Sequence, residues 1–168
     1  MPVKNNNFSF SGYLAAPAKC FLTAKSANQY TQDANVTIPL YLEPGKMTIN
    51  LTANHFSDAI LKGSQTNDEY LALERQKLPV YAKLKKIDDQ YDSLNKPGLN
   101  PNNDPVRKIT LSKLSAQNAA MRDSIARELI VYNTVFIQQH PASVVSFNIL
   151  AEDPEQYSLA SLQAAYDH

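Results

Sequence analysis

The residues of this chain best suited to chemistry are its histidines, its single cysteine and a run of aspartates, and their spacing works against each reaction they could serve. His55, His140 and His168 fall in a strand, a loop and the terminus, without the i, i+4 pairing that a helical metal site uses. His140 reads instead as a cation or donor beside the last carbonyls of its helix. Cys20 has no second cysteine with which to form an intrachain disulfide or a CxxC redox pair. Flanked by Phe21 and Leu22, it reads as a small buried apolar side chain. Asp88, Asp89 and Asp92 lack the glycine and terminal glutamate of a calcium loop and interleave with Lys85 and Lys86, the pattern of a solvated, ion-paired helix face. Gly63-Ser64 precedes a helix start, where free amides favour anions, yet one glycine is too few for a phosphate loop. No serine sits in a Gly-x-Ser-x-Gly turn. The expectation is a chain with no catalytic, cofactor-binding or metal-binding residue.

The tyrosines point elsewhere. Nine Tyr against no Trp enrich the chain in side chains that suit an apolar surface with a wet edge. Tyr70, Tyr81 and Tyr91 are the candidate interface, and since they fall on or beside the apolar stripe of a helix, helix packing accounts for them equally well.

The elements that position these residues change period along the chain. Up to Gly63 the pattern alternates: Phe8 and Phe10 with Ser9 and Ser11, then Cys20 to Ala24, then Val36 to Leu42. Pro39 within the third run cannot donate to a ladder, which places that strand at an edge or a bulge. Glu43-Pro44-Gly45-Lys46 is a strong turn signal and predicts a hairpin between Val36–Leu42 and Met47–Leu51. A short strand near Ala59–Leu61 completes four to six antiparallel strands, one layer of a sandwich or part of a barrel.

From Thr66 the period becomes helical, with Thr66 and Glu69 spaced as a capping box. Leu71, Leu78, Tyr81, Leu84, Ile87 (or Asp88 beside it), Tyr91 and Leu94 form one stripe, in a helix that Pro79 should kink. The Pro- and Asn-rich stretch Asn95–Pro105 reads as the loop to a second, antiparallel helix. That helix carries Leu111, Leu114, Met121, Ile125, Leu129, Tyr132 and Phe136 on one face, interrupted by Asn118, and should stop at His140-Pro141. Two shorter helices follow, near Val144–Leu150 with Ser143 as cap and from Ser158 to Tyr166. The predicted fold is α+β: an N-terminal antiparallel β unit over residues 1–63 and a helical extension over 64–168, packed as one compact module.

Composition excludes several partners. Hydrophobic residues make up 43% and charged residues 19%, which suits a folded chain. Lys plus Arg equals Asp plus Glu at 16 each, so no basic excess steers the chain to nucleic acid. No apolar run reaches the roughly 20 residues of a membrane span.

Four segments, taken in order, carry a family resemblance: Asn5–Gly12, Pro39–Gly45, Lys62–Glu69 and Phe136–Ser146. With them the chain resembles the uncharacterised N-terminal domain found ahead of thioredoxin-like domains of the alkyl hydroperoxide reductase and thiol-specific antioxidant type, in secreted or lipid-anchored proteins of Bacteroidetes. The resemblance implies a periplasmic or cell-envelope location and a thiol:disulfide oxidoreductase as parent. It assigns no catalytic residue here, because the CxxC cysteines of that family lie in the thioredoxin-like domain. It also implies a truncated chain, since a signal sequence and a leading strand pair would precede the Asn-Phe-Ser-Phe-Ser-Gly strand and the redox domain would follow. A missing leading hairpin would leave an open strand edge, a template for self-association. The expected function is that of a non-catalytic accessory module that positions the redox domain or recognises its protein substrate; the alternative is a free-standing binding or assembly module.

Overall fold

In the computed structural model, which describes residues 7–24, 36–94 and 105–166, the alternating segments form two small antiparallel sheets and the helical segments a long pair with short helices after it. The architecture is α+β. The chain divides into two compact units, Met1–Glu69 and Tyr70–His168.

In the first unit β1 (Ala18–Thr23) pairs with β2 (Thr37–Leu42), Ala18 opposite Leu42 and Thr23 opposite Thr37. β3 (Thr48–Thr52) pairs with β4 (His55–Lys62) through a tight turn at Ala53-Asn54, where Asn54 takes φ +60°, and the register slips between Asn50 and Thr52. Asparagine tolerates that left-handed conformation better than most residues. Ile38, Leu40 and Phe56 form the buried centre, with Cys20, Leu22, Leu42, Ile49 and Leu61 packed on it, so the two sheets share one core.

Two strand expectations are overturned. The turn Glu43–Lys46 does not close a hairpin: β2 and β3 lie in different sheets, and Pro44-Gly45, with Gly45 at φ +131°, carries the chain from one to the other. The physical reason lies at Tyr41, whose backbone N–H and C=O are both bonded by the side chain of Asn67, leaving that edge position unavailable to β3. The hairpin is instead β3–β4. Residues 8–11 form no strand either; Asn7 makes an isolated bridge, and with Phe10 50% exposed the Phe/Ser alternation has no buried face to fix it.

The helices are α1 (Gln65–Leu94), α2 (Pro105–Gln139), α3 (Val144–Glu152) and α4 (Leu159–Tyr166), with a 3₁₀ turn at Pro154–Gln156. The first turn of α1, up to Glu69, belongs to the first unit. Pro79 lies inside α1, and the helix continues through it. Pro105 opens α2 at a position where its missing N–H costs no hydrogen bond. Val80, Ile87 and Ile125 form the buried seam between α1 and α2, flanked by Leu84, Leu129 and Tyr132. Lys83 reaches Glu128 at 2.7 Å and Asp88 pairs with Arg122, so advancing along α1 means retreating along α2 and the helices are antiparallel. Of the intervening loop, residues 95–104 lie outside the described ones.

The faces of both helices need correction. On α1, Leu73 and Val80 are buried while Leu78 is 59% exposed, so the buried stripe runs through Leu73, Lys77, Val80, Leu84 and Ile87. Proline at position 79 interrupts the apolar spacing and lets Leu78 imitate a core position. The side chain of Leu94 is not among those described. On α2, Met121 is 51% exposed whereas Asn118 and Ile137 are buried. The helix ends as expected at His140, and Ser143 caps α3, its Oγ accepting from Val145 N at 3.1 Å.

Candidate functional site

The most elaborate polar arrangement among the described residues lies where β2 meets the start of α1. Ser64 is the N-cap: its carbonyl accepts from Asp68 N at 3.2 Å and its Oγ accepts from Asn67 N at 3.0 Å. The Asn67 side-chain amide also donates to Ser64 Oγ at 2.9 Å and to Tyr41 O, while its Oδ1 accepts from Tyr41 N at 2.8 Å. Glu43, just past β2, accepts from Gln65 N at 3.0 Å and Thr66 N at 3.3 Å through its two carboxylate oxygens. Partial burial works to raise the Glu43 pKa, but hydrogen bonds from the Thr66 hydroxyl and amide, the Ser64 hydroxyl and the Gln65 amide outweigh it, and the carboxyl is held below the usual glutamate value. Ser64, Thr66 and Asn67 are all buried. A carboxylate on free helix amides is an anion already supplied by the chain, so the helix start is filled from within. Gly63 makes the approach possible: at φ +88°, a Cβ there would meet Lys46 O at 2.5 Å.

The helix cap expected at Thr66 therefore lies two residues earlier, at Ser64, and the reciprocal bond of a capping box is replaced by the bonds of the Asn67 side chain to Ser64 Oγ and the Tyr41 backbone. The Ser-x-x-Asn spacing was present in the sequence. Glu43 carried no such signal, because it acts across 22 residues of chain.

The candidate tyrosines do not form one site. Tyr70 and Tyr81 fall within about 20° of each other around α1, at 100° per residue, and both are half-buried; Tyr91 is turned about 80° from Tyr81. Tyr91 is 40% exposed. Between Tyr70 and Tyr81 stand Glu74 and Lys77: Tyr81 Oη donates to one Glu74 oxygen at 3.0 Å and Lys77 Nζ to the other at 2.9 Å. Lys77 is buried. Burial, the Glu74 charge and hydrogen bond, and then neighbouring Tyr70 push the Tyr81 pKa well above the usual tyrosine value. This places a neutral, well-anchored phenol on the helix, a packing and contact group rather than a proton donor near neutral pH. Of the candidate interface, Tyr70 and Tyr81 share a face with a charged pair between them, and Tyr91 stands apart.

The other candidates are placed singly. Cys20 packs on the β core; burial raises its thiol pKa, against a smaller lowering by the Leu42 backbone, so the reactive thiolate is disfavoured. His55 opens β4, and His168 lies outside the described residues. His140 stacks on Phe136 with ring centroids 4.7 Å apart, and its carbonyl accepts from Ser146 Oγ at 2.7 Å and Ser143 N at 3.1 Å, fixing the α2–α3 corner. Lys85 bonds Asp89 at 2.8 Å, and its own pKa is raised by that hydrogen bond and charge. Among the described residues no three His, Cys, Asp or Glu come together as metal ligands, and no helix is long and apolar enough to cross a membrane.

Fold and site together define an α+β module whose best-organised polar groups hold secondary structure in place. Residues 1–70 match the family described as "Domain of unknown function (DUF4369)", a description without a catalytic assignment. No curated protein and no solved structure matches the chain.

Proposed function

We propose that the chain is a non-catalytic accessory module of a thioredoxin-like thiol:disulfide oxidoreductase of the cell envelope, positioning the redox domain or recognising its protein substrate. The observation that favours a scaffolding role is the use made of the resemblance-bearing segments. Pro39–Gly45 and Lys62–Glu69 meet at Tyr41, Glu43, Ser64 and Asn67, and Phe136–Ser146 forms the His140 corner. Their polar atoms bond one another and the backbone. Cys20, with its raised thiol pKa, is poorly suited to be the attacking thiolate, so redox chemistry would come from a CxxC elsewhere in the parent protein. The partner would be protein, met by exposed helix surface and by tyrosines such as Tyr91.

Reading the gene on both sides of this segment tests the proposal. A CxxC-bearing thioredoxin-like segment downstream and a signal peptide upstream support it. Absence of any redox segment overturns it and leaves the free-standing binding or assembly module, whose ligand would be sought by direct binding.

A further inference from the structure

We draw no further inference here: the strongest candidate, the exposed apolar patch that Ile109, Val131 and Val135 form along one face of α2, carries nothing, because nothing in the structure shows what covers it.

Discussion

The two ends of α1 are held by opposite means. Its first turn is fixed by named polar atoms: Glu43 on the Gln65 and Thr66 amides, Ser64 on Asn67, and Asn67 on Tyr41. Farther along, it is held to α2 by Val80, Ile87 and Ile125, with the exposed Lys83–Glu128 and Asp88–Arg122 pairs outside. Hydrogen bonds are directional and costly to leave half-made when buried, whereas apolar contact is tolerant of shape and proportional to area. The helix start should therefore depend on residue identity, and the seam on volume.

The largest effect should come from the seam: Ile87→Ala removes a fully packed side chain and should cost about 3 kcal/mol in urea unfolding, whereas Ile87→Val should cost about 1 kcal/mol. Next, Asn67→Ala strands both Tyr41 backbone groups in a buried place and should cost about 2 kcal/mol, and Asn67→Leu, though close in volume, should recover none of it. Recovery by leucine would erase the distinction between the two regions.

Glu43→Gln should cost about 1 kcal/mol, since the neutral amide keeps one acceptor but loses the charge at the helix start. Because the folded pKa of Glu43 lies below its unfolded value, its contribution is complete above the ordinary glutamate pKa and disappears as pH falls through the lowered folded value. The wild-type and Gln variants should accordingly converge in stability on acidification. Tyr81 has the opposite sign: its folded pKa is raised, so stability is intact below the ordinary tyrosine pKa and declines as pH rises beyond it, and Tyr81→Phe should flatten that alkaline loss in a denaturation series. Smallest of all, removing the exposed Asp88–Arg122 pair by Asp88→Asn should change stability by about 0.5 kcal/mol or less.

The same contrast explains what could be read from sequence. The α+β class, β1, β2, both long helices, the stop at His140-Pro141 and the Ser143 cap all follow from local periodicity and local end signals. The hairpin assignment failed because Glu43-Pro44-Gly45 looks the same whether the next strand pairs with β2 or crosses to another sheet, and the deciding group, Asn67, lies 26 residues from Tyr41. Leu78 and Met121 failed because three- and four-residue spacing leaves the rotation of a stripe open by one position, and Lys77 and Asn118 fill buried places that an apolar count passes over. Of the candidate tyrosines, the shared face of Tyr70 and Tyr81 was legible in their spacing; the Glu74 and Lys77 between them gained meaning only from hydrogen bonds.

The accessory-module account is tested most directly in the natural gene product, by comparing turnover of a protein disulfide and of a small-molecule disulfide with and without residues 1–168. The account predicts that deletion lowers turnover of the protein substrate about tenfold or more, a loss of roughly 1.4 kcal/mol in transition-state binding, and leaves the small disulfide unchanged. Unchanged turnover of both substrates, or disulfide reduction by the isolated module through Cys20, would contradict it.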